Sequence, residues 1–230
     1  MEASHFALVQ GWRDTRRALV EWNRAPWPVL RTWVLGSVAV SICLLLSVWA
    51  IAALSEPPSH AVAPLSRETV GTWHDVGHVL LRNSLVLALH ALACVAGFIA
   101  CSSLPLQLDD KRGAWRAVHE RAGPVAIACV VGATAFSLSA QAYLLGTGAG
   151  TLAARVRLDP GLLLLGLTPH ALPELAALFL PLAAWIVASR RSEWDQLLAA
   201  TVVTVAIAAP VLVIAALTEV FVSPRLVAAL

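Results

Sequence analysis

Long apolar runs alternate along this chain with short segments that hold most of its charged side chains. A helix that crosses a bilayer needs about 20 mostly apolar residues. Five runs reach about this length, at residues 33–54, 84–107, 123–149, 169–189 and 196–218. Residues 160–168 are also apolar, but this segment is too short to cross a membrane alone. The pattern therefore predicts an all-α, polytopic transmembrane helical bundle with about five spans.

The composition excludes a soluble globular protein. The 230 residues are 59% hydrophobic and 13% charged, whereas a soluble domain carries about 25% charged residues. So little charge cannot cover a water-facing surface, and the lipid bilayer is the first expected partner. No nucleic-acid partner is expected. All 4 cysteines lie inside the predicted spans and indicate no disulfide framework.

The segments that flank the predicted transmembrane domain (residues 32–222) have their own patterns. Residues 1–31 interleave arginine with tryptophan, leucine and valine, which indicates an amphipathic interfacial helix or an ordinary juxtamembrane helix with an aromatic belt. Pro26 and Pro28 separate this segment from the first span. That span is longer than the apolar core of a signal peptide, so we expect it to be retained. Residues 223–230 are predicted to form a short external tail.

The basic residues predict the orientation of the spans. Most of the 16 Lys and Arg side chains lie in segments on one side of the predicted topology, at residues 13–31, 108–121 and 190–195. Cytoplasmic segments of membrane proteins carry an excess of Lys and Arg. We therefore expect a cytoplasmic N-terminus and an external C-terminus. The high Ala, Leu and Arg content beside a single Lys favours a GC-rich bacterial genome, and so the bacterial cytoplasmic membrane.

Polar side chains inside the spans are the candidates for a functional site, because lipid cannot solvate them. Six of them fall in the predicted outer half of the membrane: Asn83, His90, Gln141, His170, Glu174 and Glu219. His170 and Glu174 are spaced i, i+4 and share a helix face. Asn83 and His90 return to one face after two turns. The alternative is that these groups only form interhelical hydrogen bonds that hold the bundle together.

The fourth span also contains three prolines, Pro169, Pro173 and Pro181. A proline in a helix removes a backbone donor and frees a carbonyl oxygen. We therefore predict an interrupted helix beside the His/Glu pair, with the freed carbonyls facing neighbouring helices or a cavity.

Metal chemistry is the alternative to a site without a cofactor. His170, Glu174 and either Glu219 or His90 offer the ligand types of zinc or another divalent ion. In an enzyme, His170, Glu174 and Glu219 would be the catalytic candidates, as ligands or as general acid and base. The motif His74-Asp75-x-x-His78 has zinc-like spacing but lacks the glutamate of H-E-x-x-H, and we expect it at the surface. The leading expectation is that the chain has no cofactor.

Three segments resemble the stage II sporulation protein M family of integral membrane proteins: LRNSLVLALHALACVAGF at 81–98, LTPHALPEL at 167–175 and AALTEVFVSP at 215–224. A Pro-His-Gly-x-x-Glu-Leu motif of that family is similar to the set Pro169, His170, Glu174 and Leu175. Asn83 is similar to the first residue of an Asn-Asn pair, and Glu219 to the glutamate that ends the last span. The chain departs at Ala171, where the family has glycine, and at Ser84, where it has the second asparagine. Alanine restricts the backbone more than glycine, which argues against a tight ligand approach at that point.

The resemblance covers about residues 10–225 and implies a component of a membrane complex rather than a particular reaction. Members of the family act in an envelope complex that remodels peptidoglycan during sporulation, and relatives occur beside ATPases. The leading hypothesis is a non-enzymatic subunit of a cell-envelope or membrane complex, with other membrane or envelope proteins, an ATPase or a second copy as partner. The alternatives are an intramembrane metal-dependent or acid/base enzyme, and a transporter or permease component coupled to a separate ATPase.

Overall fold

The computed structural model describes residues 7–55, 71–99, 101 and 114–230. The helices of this part of the chain are α1 (Ala7–Arg24), α2 (Pro26–Leu54), α3 (Trp73–Phe98), α4 (Ala114–Val156), α5 (Pro160–Arg191), α6 (Leu197–Phe221) and α7 (Ser223–Ala228). A 3₁₀ turn at Trp194–Gln196 precedes α6. No β-strand occurs within these described ranges, which confirms the predicted all-α class.

Five segments of the described chain are long and apolar enough to cross a membrane: Pro26–Leu54, Trp73–Phe98, Ile127–Val156, Pro160–Arg191 and Trp194–Ala228. This confirms the prediction of about five spans, and the chain is a multi-pass membrane protein. The helices extend beyond the apolar runs that predicted them. α3, for example, begins at Trp73 rather than at 84, while the predicted end of that span at 102–107 lies outside the described residues.

α5 differs most from its prediction. It begins at Pro160, so the short apolar segment 160–168 forms the first turns of the same helix. It also runs through Pro169, Pro173 and Pro181 as one helix, and the predicted interruption is wrong. The apolar window of α5 is 67% buried, the largest buried share among the five candidate spans. Packing by neighbouring helices therefore outweighs the hydrogen bonds that the prolines remove.

Compact turns join α4 to α5 and α5 to α6. Arg157 and Ser192 follow the two helices with φ of 58°, and the next amide in each case bonds back to the helix, as in a Schellman motif. Asp159 then caps α5, because its Oδ1 accepts a hydrogen bond of 2.7 Å from the Gly161 amide. Pro160 occupies the first position of that helix, where no donor is needed.

The chain packs as two units, and the first comprises Met1–Ser37, Leu85–Ala133 and Leu178–Ala208. Two apolar clusters form its core. One consists of Cys94, Phe98, Trp185, Ala188 and Leu197. The other consists of Trp33, Leu180, Ala184 and Ala200. Both bring together residues that are far apart in the sequence, so long-range packing defines this unit.

α1 packs into the first unit through one face. Ala18 is buried, and the Trp22 ring lies edge-on to Trp33 with 5.2 Å between ring centroids. Gly11 is buried as well, and a Cβ at that position would lie 2.6 Å from Leu198 Cδ1. Trp12 is exposed. This division agrees with the predicted amphipathic helix, and its place at a membrane surface stays a prediction.

The second unit comprises Val38–Ser84, Thr134–Ala177 and Ala209–Leu230. Val76, Ala216 and Val220 form its apolar cluster. α2 and α4 approach closely in this unit, because a Cβ at Gly146 would lie 2.6 Å from Ile51 Cβ and one at Gly150 would lie 3.0 Å from the Ala52 carbonyl oxygen. Small residues spaced i, i+4 commonly allow such approaches between membrane helices.

The chain ends in a helix where the sequence predicted only a short tail. Residues Ser223–Ala228 form α7, which follows α6 after a single residue. Side chains near the C-terminus pack on α5, since a Cβ at Gly166 would meet Leu230 Cδ1 at 3.0 Å and Val227 Cγ2 at 3.4 Å. The first residue of α7, Ser223, is buried.

Candidate functional site

The second unit brings together three of the predicted polar residues from two helices. His170 and Glu174 lie one turn apart on α5, and Glu219 lies near the end of α6. One ligand atom from each residue lies within 4.8 Å of the others. His170 and Glu174 are buried, and Glu219 is half-buried. We call these three residues the His/Glu cluster.

A serine holds the His170 ring. His170 Nδ1 lies 2.6 Å from Ser223 Oγ, and the Ser223 hydroxyl donates to the Thr218 carbonyl oxygen at 3.2 Å. Because a hydroxyl has one proton, the assigned network makes Nδ1 the donor to Ser223. The second ring nitrogen, Nε2, then keeps its lone pair and can act as a ligand or proton acceptor.

α3 contributes Asn83 and Arg82 to the surroundings of the His/Glu cluster. Asn83 is only 3% exposed, and its Nδ2 lies beside the Glu174 carboxylate without reaching full hydrogen-bond geometry. Glu219 Oε2 is also buried without a hydrogen-bond partner. Arg82 is exposed and acts electrostatically on both carboxylates. Asn83 therefore contributes a buried amide group to the site, and Arg82 contributes a positive charge on its exposed side.

The arrangement has the donors of a cation site. An imidazole nitrogen and two carboxylates form a ligand set that zinc and related divalent ions accept. Three donors around one zinc ion lie about 3.4 Å apart in a tetrahedral arrangement with bonds of about 2.1 Å. The donor atoms of the His/Glu cluster lie up to 4.8 Å apart, so they would have to approach each other to bind one ion.

His90 lies in the first unit and does not join the His/Glu cluster. Its Nδ1 donates to the Leu178 carbonyl oxygen at 2.9 Å, and its ring lies against Phe179 with 5.7 Å between centroids. One turn along α3, the buried Cys94 thiol donates to the Pro181 carbonyl oxygen at 3.3 Å. These contacts favour interhelical hydrogen bonding, the alternative that the sequence left open for His90.

Gln141 also lies apart from the cluster, on α4. Its Nε2 donates to the Ser137 hydroxyl on the same helix at 3.0 Å, and this bond is exposed. Ser137 lies one turn earlier and is itself exposed. The Gln141–Ser137 pair is thus a polar surface patch on a span rather than part of a buried site.

The His74-Asp75-x-x-His78 motif begins α3. All three side chains are exposed, and Asp75 Oδ2 accepts hydrogen bonds from the Thr72 amide and hydroxyl, each at 2.8 Å. The Asp75 amide in turn faces the Thr72 hydroxyl at 3.3 Å. This is a capping box, so the carboxylate of the motif serves as a helix cap.

Sequence reasoning missed Ser223. The signal that could have found it is its spacing of four residues from Glu219, which continues one face of the closing span past the end of α6. Because residues 223–230 are predicted to form a tail, and a tail has no defined helix face, the spacing of Glu219 and Ser223 is not expected to matter.

Residues 125–224 match the sequence model for Stage II sporulation protein M. Over these residues the chain is similar to the stage II sporulation protein M family. The matched region contains the whole His/Glu cluster and Gln141, whereas Asn83 and His90 precede it. No curated protein and no solved structure matches the chain. The family resemblance inferred from the motifs at 167–175 and 215–224 is confirmed, and that of segment 81–98 stays a prediction.

Proposed function

We propose that this chain is a stage II sporulation protein M family member that serves as a non-enzymatic subunit of a membrane complex, and that α4 is the span that binds another subunit. The single observation that carries this proposal is the low burial of α4. In the part of the chain that the structure describes, only 6% of the most apolar stretch of Ile127–Val156 is buried. The same quantity is 67% for α5.

The polar groups of α4 support a protein neighbour rather than lipid alone. The Gln141 amide and the Ser137 hydroxyl bond to each other, but the amide keeps a further N–H and a carbonyl oxygen. A polar group at membrane depth is stabilised by about 0.6–2 kcal/mol when it bonds to a neighbouring helix. A helix of another subunit would supply that bond, and lipid tails would not.

The shape of α4 also suits helix packing. A Cβ at Gly148 would meet no atom within 4 Å, so this glycine lies on open surface. Leu144, one turn before Gly148 on the helix face that carries Ser137 and Gln141, is 68% exposed. A glycine lets two backbones approach closely, while a large apolar side chain adds contact area. The occupant we propose is a membrane-spanning helix of a different protein, in line with the complexes that the family resemblance implies.

Site-specific photocrosslinking tests this proposal in native membranes. A photoreactive phenylalanine analogue at position 144 should form a covalent adduct with one other protein. The matched control carries the analogue at Ile214 of α6, which is also in the second unit and is 64% exposed. Gln141→Leu should reduce the adduct at 144 because it removes the polar contact one turn away on the same helix face, while total protein in the membrane stays the same.

Four outcomes would contradict the proposal. Equal adducts at 144 and 214 would show nonspecific collision, and no adduct at 144 would show that lipid covers α4. An adduct of twice the mass of the chain would identify a second copy as the neighbour instead of a different subunit. A purified chain that performs catalysis alone would contradict the non-enzymatic assignment.

A further inference from the structure

We infer that the His/Glu cluster is a binding site for one divalent transition-metal ion, with zinc as the reference ion. The proposal is independent of the binding role of α4. It rests on three donor side chains from α5 and α6, His170, Glu174 and Glu219, whose ligand atoms lie within 4.8 Å of one another.

Unsatisfied polar atoms give a second, independent indication of a ligand. Glu219 Oε2 is a buried carboxylate oxygen without a hydrogen bond. Asn83 Nδ2 is a buried donor that lies beside the Glu174 carboxylate without reaching full hydrogen-bond geometry. A buried polar group without a partner costs about 1–3 kcal/mol. A cation bound to Glu219 Oε2 removes the cost for that atom. One carboxylate oxygen of Glu174 would bind the ion, and the other would accept a hydrogen bond from Asn83 Nδ2.

The histidine is oriented as metal-binding histidines are. Such residues donate their other ring N–H to a neighbouring oxygen, which fixes the tautomer that exposes the ligating lone pair. His170 Nδ1 donates to Ser223 Oγ, whose own proton goes to the Thr218 carbonyl oxygen. Ser223 is therefore a positioning residue for the His170 ring.

The charge of the cluster also favours a cation. Two ionised carboxylates at this separation would repel each other, and burial in a membrane protein leaves little solvent to screen that repulsion. Arg82 is a cationic side chain that acts on both Glu174 and Glu219, but it is exposed. A divalent ion between the carboxylates neutralises them directly.

The donor types select the class of ion. Magnesium and calcium prefer sites made of oxygen atoms only, whereas an imidazole donor suits zinc, iron and other first-row metals. The three residues leave a fourth position of a tetrahedral site for water or for a ligand from outside the cluster. The mixed set of one imidazole and two carboxylates thus points to zinc-like ions.

Metal analysis of the full-length chain tests the inference. The protein is purified in detergent with an affinity tag that contains no histidine, stripped with a chelator and titrated with zinc against a competing indicator dye. We expect about one zinc ion per chain. Glu174→Gln and Glu219→Gln should each lower the affinity by more than about 100-fold, since each removes a ligand charge.

Control variants separate this site from general surface binding. His78→Gln removes an exposed histidine from α3, and Glu193→Gln removes a carboxylate from the first unit. Both should bind zinc like the parent chain. Ser223→Ala should weaken zinc binding by about 10–100-fold. Ser139→Ala, which removes a hydroxyl bonded only to its own helix at Ala135, should leave it unchanged.

Each result of the titration supports or overturns the inference. If the parent chain, Glu174→Gln and Glu219→Gln bind zinc equally, the zinc is adventitious and the inference is overturned. A stripped parent chain that does not rebind zinc would also overturn the inference. Circular dichroism and size-exclusion chromatography check the fold of each variant. If the glutamate variants do not fold, the titration of the parent chain and of Ser223→Ala decides. A metal-free chain that still crosslinks at position 144 would leave the α4 proposal intact.

Discussion

Gly146→Ala should destabilise the packing of α4 on α2. The new Cβ would lie 2.6 Å from Ile51 Cβ, 2.7 Å from Ile51 Cγ2 and 3.1 Å from the Val48 carbonyl oxygen, whereas carbon atoms in contact lie about 3.5–4.0 Å apart. Ile51 Cβ is fixed to the α2 backbone, so it cannot rotate away. The two helices must therefore separate by about 1 Å, and overpacking of this kind costs about 1–3 kcal/mol.

Gly148→Ala is the matched control, since a Cβ there meets no atom within 4 Å. Both variants gain about 1 kcal/mol of helix stability, because alanine favours a helix more than glycine does. The difference in stability between Gly146→Ala and Gly148→Ala therefore measures the cost of overpacking. A difference of about 1–3 kcal/mol corresponds to a midpoint of thermal unfolding about 3–9 °C lower for Gly146→Ala than for Gly148→Ala.

Thermal unfolding of the purified chains in one detergent, followed by circular dichroism, measures that difference. Crosslinking between cysteines placed on α2 and α4 reports whether the helix pair still forms. Equal midpoints for Gly146→Ala and Gly148→Ala would refute the close approach of the two helices. So would a higher midpoint for Gly146→Ala.

Helix ends give three further predictions, all measurable by the same thermal unfolding. Asp159→Ala should destabilise the chain by about 0.5–2 kcal/mol, because it removes the cap on the Gly161 amide; an unchanged midpoint would argue against that cap. Arg157→Gly should stabilise it by about 0.4–1 kcal/mol, because residue 157 has φ of 58°; a loss of stability would contradict this reasoning. Asp75→Ala should cost about 0.5–2 kcal/mol through the lost bonds to Thr72, and zinc binding should not change.

The membrane spans could be predicted because the length of an apolar run is a local property of the sequence. The ends of the helices depend on capping and packing, and they were predicted less well. α5 shows the difference, since the pair Asp159-Pro160 is a readable cap and first position, yet the apolar run alone suggested a start at 169. Its continuity through Pro173 and Pro181 could not be predicted locally, because neighbouring helices supply the stabilising contacts.

The candidate site was predictable within one helix and only partly between helices. The i, i+4 spacing places His170 and Glu174 on one face whatever the packing. The sequence does not determine which part of α3 meets that face. Asn83 and His90 lie on the same side of α3, but Asn83 approaches Glu174 and His90 binds the Leu178 carbonyl oxygen. Helical periodicity predicts which face of a helix a residue lies on. The packing of the neighbouring helix at that level of the membrane determines which residue it contacts.

The buried atoms without hydrogen bonds distinguish the His/Glu cluster from ordinary interhelical packing. Within the part of the chain that the structure describes, these atoms are Asn83 Nδ2, Glu219 Oε2 and Trp185 Nε1. Trp185 lies in an apolar cluster, where the large buried ring outweighs one lost hydrogen bond. Asn83 and Glu219 have no such compensation, since each contributes a polar group to a site of carboxylates. Hydrogen-bonding residues whose only role is packing should satisfy each other, as His90 and Cys94 do with carbonyl oxygens of α5. The unsatisfied pair therefore favours a site that is completed by a ligand from outside the chain.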